Sequence, residues 1–225
     1  MAALSQKTET TVEPIVYVVD DDERIRESLL DLFMATHKQA SAFASGTEFL
    51  KAADTGRPGC IVLDLQMPKL GGLAIQDELI ASGSRMPIIF LTGHADVPSS
   101  VTALKAGATD FILKPFAAQA LLKAVDKAIK LDDERRQVQN ERNRLRSLAD
   151  TLTRREREVM LLIASGLMNK QVAYELGISE MTVKLHRMSV MKKMESRSLA
   201  DLVRKVEKLG QIDQRMRCGR LIYMC

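Results

Sequence analysis

The sequence predicts a doubly wound α/β domain of five βα units, joined by a long helical linker to an all-α helix-turn-helix domain. In the first half, short β-branched apolar runs alternate with amphipathic stretches, and all six prolines lie at or before residue 115. No glycine or proline occurs between Pro115 and Gly166, so a long helical region separates the halves. The net charge also changes, from −3 over residues 1–130 to +7 over residues 131–225.

Five strands are predicted from the apolar runs, which are typical of strands buried on both faces of a sheet. They span residues 15–20, 39–44, 60–65, 87–92 and 109–113. The amphipathic segments predict helices over residues 22–36, 47–53, 73–82 and 97–106, and a further helix from about Ala117. Parallel strands that alternate with helices in this way indicate a single doubly wound sheet.

The domain boundaries follow from these patterns. We expect a disordered tail at 1–14, the α/β domain at 15–130, a helical linker at 131–150, the helix-turn-helix domain at 151–210 and a basic tail of unassigned role at 211–225. In the linker, apolar residues recur every seventh position, at Leu131, Val138, Leu145 and Leu152. Arg135 and Arg142 occupy the alternate core positions, so both a solvated helix and a dimerising helix stay open.

Composition excludes several classes of protein. No apolar run approaches the roughly 18 residues of a membrane span, and the first residues do not form a secretory signal. Cys60, Cys218 and Cys225 are scattered and form no CxxC pair, which argues against a zinc site and a disulfide framework. We therefore expect a cytoplasmic protein, and its basic second half indicates a polyanionic partner such as nucleic acid.

Polar residues lie at the carboxyl ends of four predicted strands: Asp20 and Asp21 end the first, Asp64 the third and Thr92 the fourth, and Lys114 follows the fifth. Because these ends meet at one edge of a parallel sheet, we expect the three carboxylates to converge and to repel one another. Mg²⁺ suits such an oxygen-rich site, and a carboxylate beside a metal ion and a lysine can accept a phosphoryl group. Taken singly, each residue is as readily a helix cap or an ordinary strand end.

The joint pattern resembles the receiver domain of two-component response regulators over residues 15–130. The segments that carry the resemblance are VVDDD (18–22), VLDLQMPKLGG (62–72), LTGHAD (91–96) and KAGATDFILKPF (105–116). The resemblance implies that Asp64 is the phospho-acceptor. It implies a Mg²⁺ site formed by Asp20, Asp21, Asp64 and the backbone carbonyl of Gln66.

The same resemblance assigns roles to residues around the acceptor. Lys114, expected before a cis bond to Pro115, would pair with the phosphoryl group. Thr92 would be the hydroxyl switch and Phe111 the aromatic switch. Gln66 and His94 would face the acyl phosphate and tune its lifetime, although His94 is as readily an ordinary loop histidine.

A helix-turn-helix is predicted from NKQVAYEL (169–176), GIS (177–179) and EMTVKLHRMSVMKKM (180–194). The second helix has a packing stripe at Val183, Val190 and Met194, and an opposite face formed by Met181, Lys184, Leu185, Met188 and Lys192. Apolar residues on that face fit contact with thymine methyl groups in the major groove, with Lys184 reaching a base or a phosphate. A helix that packs on both sides is the alternative.

Local signals mark the ends of these helices. Thr153 with Glu156 forms a predicted capping box, and Ser179 is a predicted N-cap. Gly166 and Gly177 stand where helix ends need a left-handed residue.

Residues 152–194 resemble the LuxR-type output domain of NarL/FixJ-class regulators, through the elements RERE-V, G-x-x-NK, A-x-x-L-x-IS and TVK-x-H. The resemblance implies DNA contacts by Asn169, Lys170, Thr182, Lys184, Leu185, His186, Arg187 and Met188, to which we add Lys192 on the same face. The last predicted helix, 198–208, carries an apolar stripe at Leu199, Leu202, Val203 and Val206. In this family that helix pairs two DNA-bound protomers, whereas packing within its own domain is the simpler alternative.

Together these features predict a response regulator and not an enzyme. A sensor histidine kinase would phosphorylate Asp64, the protein would form a homodimer on promoter DNA, and RNA polymerase would be activated. Two rivals stay open: a phosphatase with Asp64 as nucleophile, although Gln66 replaces the second acid it would need, and a DNA-binding protein that ignores phosphorylation. The segment GLMNKQVAYELGISE (166–180) resembles regulators of aromatic-compound breakdown and of nodulation.

Overall fold

The computed structural model describes residues 12–93 and 108–222, with side chains described as far as residue 210. The chain divides into two compact units, of which the first ends at Arg136 and the second begins at Gln137. The predicted helix at 97–106 and His94 lie outside the described residues. No helix within the described ranges is both long and apolar enough to span a membrane.

The first unit is built on a parallel sheet, as the apolar runs predict. Its described strands are β1 (Ile15–Val19), β2 (Gln39–Phe43), β3 (Gly59–Asp64), β4 (Ile88–Thr92) and β5 (Asp110–Leu113), in the spatial order β2-β1-β3-β4-β5. The order reverses between β1 and β3, because the chain fills one side of β1 before crossing to the other. In doubly wound sheets a ligand crevice opens at that reversal, outside the carboxyl ends of the strands.

Helices cover both faces of this sheet: α1 (Glu23–Ala35), α2 (Gly46–Ala52), α3 (Gly72–Ala81) and the first turns of α4 (Ala118–Asp150). Side chains alternate along each strand, so β3 sends Ile61 and Leu63 to one apolar cluster and Val62 to the other. The first cluster packs under α2 and α3 through Phe49 and Ile75. The second packs under α1 and α4, and together they bury the sheet on both sides.

A buried polar contact fixes α4 to the amino end of β3. Asp132 is only 3% exposed, and its Oδ2 accepts hydrogen bonds from the Gly59 amide at 3.0 Å and from Arg136 Nε at 2.6 Å. The same guanidinium donates to the carbonyls of Gly56 and Arg57, both at 2.6 Å. Gly59 has φ of 149° and a Cβ there would lie 1.9 Å from a backbone oxygen, so only glycine fits.

The second unit contains the C-terminal part of α4 and four further helices: α5 (Arg154–Ala164), α6 (Asn169–Leu176), α7 (Glu180–Lys193) and α8 (Leu199–Ile222). The predicted helix ends are confirmed. Thr153 and Glu156 form a capping box, Ser179 caps α7, and Gly177 ends α6 in the left-handed conformation at φ 63°. Gly166, just past α5, has φ of 93°.

Two features of the long helices differ from the expectations. Leu152 of the heptad is buried in the core of the second unit and Leu145 is 1% exposed, whereas Val138 is 52% exposed, so two of the four heptad positions are already buried within the chain. Helix α8 continues to Ile222, although it was expected to end near residue 208. One glycine inside a helix costs only about 1 kcal/mol, and neither Gly210 nor Gly219 ends α8.

Candidate functional sites

Three carboxylates meet at the carboxyl ends of β1 and β3, where the strand order reverses. Ligand atoms of Asp20, Asp21 and Asp64 all lie within 4.8 Å of one another. Asp20 is 1% exposed and Asp64 is 8% exposed, whereas Asp21 faces solvent. The sheet therefore brings together the residues that the sequence predicted for the metal site, apart from the Gln66 carbonyl, which follows β3 on an exposed residue.

Lys114, which follows β5, joins two of these carboxylates. Its Nζ lies 2.6 Å from Asp20 Oδ2 and 3.1 Å from Asp64 Oδ2. Burial raises the pKa of Asp20, and the hydrogen bond from Lys114 offsets part of that rise. Burial by itself lowers the pKa of Lys114, but its bonds to the two carboxylates outweigh burial, so the net shift is upward. One ammonium group therefore faces three carboxylates.

This donor set fits a hard divalent cation. All the side-chain ligands are carboxylate oxygens, which Mg²⁺ prefers, and a single lysine does not neutralise them. Backbone amides order the same carboxylates: the Asp22 amide donates to Asp20 Oδ1 at 3.0 Å, and the Gln66 amide donates to Asp64 Oδ1 at 3.1 Å. Asp64 thus points one oxygen at Lys114 and the other toward the start of the following loop.

The predicted switch residues flank this crevice. Thr92 at the end of β4 is fully buried, and its carbonyl accepts a hydrogen bond from the Lys114 amide at 2.7 Å. Phe111 on β5 is partly buried and packs against the apolar cluster under α2 and α3. The peptide bond between Lys114 and Pro115 is cis.

Gly72 lets α3 begin close to the carboxyl end of β3. A Cβ at this position would lie 2.7 Å from the Asp64 carbonyl oxygen and 2.9 Å from the Phe90 ring. The glycine amide donates to the Leu65 carbonyl at 3.0 Å. The loop after Asp64 is therefore held close to the start of α3.

Sequence reasoning missed Arg26, a partly buried residue of α1. Its Nη1 donates to the backbone carbonyls of Asp20 at 2.8 Å and Asp21 at 3.0 Å. A signal was present: Arg26 lies near the start of α1, where the helix dipole disfavours a cation. A local rule broken in this way often marks a functional residue.

The second unit exposes one face of α7, as its pattern predicts. Val183, Val190 and Met194 are fully buried in the core of this unit. On the opposite face, Met181 and Met188 are each 65% exposed and Leu185 is 55% exposed, with Lys184 and Lys192 beside them. Apolar side chains exposed together are unusual on a solvated helix and indicate a surface that another molecule covers.

The other predicted DNA-contact residues surround this face. His186 and Arg187 are partly exposed, and Lys170 is exposed at the start of α6. Asn169 Oδ1 accepts a hydrogen bond from Arg187 Nη1 at 3.1 Å, so the scaffold helix orients that guanidinium. Thr182 Oγ1 lies 2.9 Å from the Oγ of Ser179, within the N-cap of α7.

One residue of the predicted dimerisation stripe on α8, Leu202, differs from the prediction. Its side chain is fully buried in the core of its own unit, so it has no surface to offer a second protomer. Val206 also packs against that core, although partly exposed, whereas Leu199 is 36% exposed. The apolar periodicity of α8 could not distinguish pairing with a second protomer from packing within the unit, because both bury the same face of the helix.

Glu156 links the start of α5 to α7 from a buried position. It accepts hydrogen bonds from Lys193 Nζ at 2.6 Å, from the Ser189 hydroxyl and from the Thr153 amide at 2.7 Å. The hydrogen bond from Lys193 is the largest cause that lowers the pKa of Glu156, from 4.5 to about 2, followed by that from Ser189. The charged carboxylate thus holds α7 in place.

This contact predicts acid sensitivity of the second unit. Because the folded pKa is depressed, the stabilisation is present above about pH 4.5 and is lost as the pH falls through about 2. Glu156→Gln is expected to lower the free energy of unfolding of this unit by about 2–3 kcal/mol at neutral pH and to flatten its acid dependence. Hydrogen exchange of the α5 and α7 amides against pH measures both. Glu175→Gln on the exposed side of α6 is the control, and equal effects from both variants would contradict the assignment.

Two family models match the chain. The model of the response regulator receiver domain matches residues 16–126. The model of bacterial regulatory proteins of the luxR family matches residues 150–206. The two matches cover the two units separately and together span more than half of the chain.

Several relatives align with most of this chain, across both units. Nodulation protein W of Bradyrhizobium diazoefficiens is 49% identical over 203 residues, which cover 90% of this chain and 89% of the relative. The response regulator protein TmoT of Ectopseudomonas mendocina is 41% identical, covering 88% and 90%. The transcriptional regulatory protein FixJ of Azorhizobium caulinodans is 41% identical, covering 84% and 90%.

Solved structures give the same picture. The response regulator StyR matches with a TM-score of 0.83 and 45% identity, covering 87% of this chain and 99% of that one. Full-length FixJ from B. japonicum matches with a TM-score of 0.55 and 34% identity, covering 89% and 99%.

Proposed function

Because the chain belongs to the bacterial response regulators that join a receiver domain to a LuxR-type DNA-binding domain, we propose that phosphorylation of Asp64 controls its binding to promoter DNA. The chain is a transcriptional regulator and not an enzyme, like the relatives it matches. The observation that carries the proposal is the contact of the Lys114 ammonium with both Asp20 and Asp64 inside a cluster of three carboxylates.

The chemistry follows from the site. Asp20, Asp21, Asp64 and the Gln66 carbonyl would hold Mg²⁺, which supplies positive charge beside the phosphoryl oxygens. An Asp64 oxygen attacks the phosphorus of a phosphohistidine on the sensor kinase, the bond between phosphorus and the histidine nitrogen breaks, and an acyl phosphate forms. Lys114 can pair with the phosphoryl oxygens because it already lies 3.1 Å from Asp64 Oδ2.

Thr92 and Phe111 would transmit the effect of phosphorylation from the pocket to the rest of the receiver domain. Thr92 ends the strand beside the acceptor strand, and its hydroxyl would hydrogen-bond a phosphoryl oxygen. Phe111 pairs with Phe90 in the β4–β5 register and is only partly buried, so an inward movement of its ring would bury more apolar surface. Gln66, and His94 two residues after Thr92, would tune how long the phosphate lasts.

Phosphorylated receivers would then pair, and two output domains would occupy two half-sites on DNA. Joining two weak modules raises their combined affinity through effective concentration. Leu199 and Val203 of α8 retain exposed surface for contact between the output domains. The expected outcome is activation of RNA polymerase, in the cytoplasm where promoter DNA lies. Sedimentation with and without acetyl phosphate and Mg²⁺ tests the pairing, and an unchanged mass despite phosphorylation of Asp64 would count against it.

The exposed face of α7 would enter the major groove. Met181, Leu185 and Met188 would contact thymine methyl groups, and Lys184 would contact a base edge or a phosphate. Lys170, Thr182, His186, Arg187 and Lys192 surround these residues and would contact phosphates, with Asn169 orienting Arg187. The exposed apolar surface and the surrounding cations both support this orientation.

Thymine methyl recognition makes a specific prediction. Replacing thymine by deoxyuridine at a contacted position removes one methyl group and is expected to weaken binding about three- to fivefold, since a buried methylene contributes about 0.8 kcal/mol. The Leu185→Ala variant should bind equally well to duplexes with thymine or deoxyuridine at the base that Leu185 contacts. At the other contacted thymines it should still bind the deoxyuridine duplex more weakly. Fluorescence anisotropy with paired duplexes measures both effects. Lys192→Ala is the control, because it should weaken binding to both duplexes equally; a deoxyuridine effect that is unchanged in Leu185→Ala would contradict the contact.

A further inference from the structure

We propose that Arg26 is a positioning residue of the phosphorylation site, one that shapes the Mg²⁺ site by holding the backbone of Asp20 and Asp21. The inference rests on the proposed function, and it assigns a role to a residue that lies outside the acceptor, its metal ligands and the switch pair. Its basis is geometric: one guanidinium nitrogen, Nη1, donates to both carbonyls, at 2.8 Å and 3.0 Å.

The two carbonyls belong to the short link between β1 and α1, which carries two of the three carboxylates. The Asp22 amide holds this link on one side by donating to Asp20 Oδ1 at 3.0 Å. Arg26 holds it on the other side through the main chain. The Asp21 side chain faces solvent, so without such a constraint its carboxylate would sample positions away from Asp20 and Asp64. Ordering a flexible ligand before the ion arrives removes part of the entropic cost of binding.

The charge of Arg26 acts in the opposite direction. Among the described residues, no ion pair within 4.0 Å involves Arg26, so its positive charge adds to that of Lys114 beside the pocket. A second cation disfavours Mg²⁺ by direct repulsion, which solvent screens at this partly exposed position. The structure favours the positioning effect, because both contacts are short bonds from a charged donor to main-chain acceptors.

Substitutions separate these two effects. Arg26→Met keeps the length of the side chain and removes both the donor and the charge. We expect it to raise the Mg²⁺ dissociation constant about tenfold, and to slow phosphorylation by acetyl phosphate at low Mg²⁺ and much less at saturating Mg²⁺. Arg26→Lys keeps a charged donor, and because a single nitrogen makes both contacts, this variant is expected to come within about twofold of wild-type affinity. Arg24→Met, two residues earlier on the exposed surface of α1, removes the same charge without these contacts and is the matched control.

The experiment is isothermal titration of Mg²⁺ into the full-length, unphosphorylated protein, with thermal unfolding measured on the same samples. Weaker Mg²⁺ binding by Arg26→Met alone supports the inference. Tighter binding by that variant would mean that only charge matters, and unchanged binding with a lower Tm would mean a purely structural role; either result overturns it. If the wild-type protein itself binds no Mg²⁺, the proposed phosphorylation site fails. This result differs from a failure of the role of Arg26, in which the wild type binds Mg²⁺ and Arg26→Met binds it equally well or more tightly.

Discussion

Asp64→Asn is expected to abolish phosphorylation by acetyl phosphate and Mg²⁺, because an amide oxygen is too poor a nucleophile to form the acyl phosphate. The substitution keeps the shape of the side chain, and the amide can still accept the hydrogen bond that the Gln66 backbone donates at 3.1 Å. The loss should therefore be complete and not a partial effect of altered folding. Intact-protein mass spectrometry, which counts added phosphoryl groups, measures it.

The same variant should lose none of its thermal stability. Removing one of three neighbouring carboxylates relieves repulsion, which offsets the weaker contact with Lys114 at 3.1 Å. Asp77→Asn, on the exposed side of α3, is the control and should accept one phosphoryl group like the wild type. If Asp64→Asn gains the same added mass as the wild type, the acceptor has been misassigned.

Asp132→Ala is expected to destabilise the receiver unit by about 3–5 kcal/mol, the largest stability effect that the structure predicts. The substitution removes the acceptor for the Gly59 amide and leaves the Arg136 guanidinium, half-covered beside the Gly56 and Arg57 carbonyls, without its anion. A buried amide without a partner and an unpaired cation both carry desolvation costs.

Hydrogen exchange of the Gly59 amide in the full-length protein is the direct measurement, and it should speed up strongly in Asp132→Ala. Asp132→Asn keeps an acceptor for that amide and should lose less stability, whereas Glu134→Ala on the exposed side of α4 should change little. A loss below about 1 kcal/mol in Asp132→Ala would show that water replaces the contact at little cost.

The strands and the acidic pocket could be predicted from sequence because each depends on a local pattern. A continuous apolar run such as residues 60–65 is buried on both faces, and observed β3 differs from it by one residue at each end. Asp20 follows β1, Asp64 ends β3 and Lys114 follows β5, and parallel strands bring these carboxyl ends to one edge. Residues that are far apart in the sequence therefore form one cluster because the sheet is parallel.

Contacts between distant parts of the chain could not be predicted in this way. The Gly59 amide donates to Asp132, which lies 73 residues further along the chain, and the composition of neither segment predicts this hydrogen bond. Leu202 belongs to an apolar stripe that fits a dimer and a core equally well, and only burial within its own unit distinguishes them. Arg26 acts through its neighbours' backbone, which a pattern of side-chain types does not reveal.

If a phosphoryl group on Asp64 controls DNA binding, the affinity of one protein sample for one duplex should change when Asp64 is phosphorylated. A duplex selected from a random library by the phosphorylated protein would be titrated with wild-type protein before and after treatment with acetyl phosphate and Mg²⁺, with occupancy of Asp64 measured by mass spectrometry. We expect the affinity for DNA to rise about tenfold or more with occupancy of Asp64, since pairing adds effective concentration. An unchanged affinity in a sample fully phosphorylated on Asp64 would contradict it.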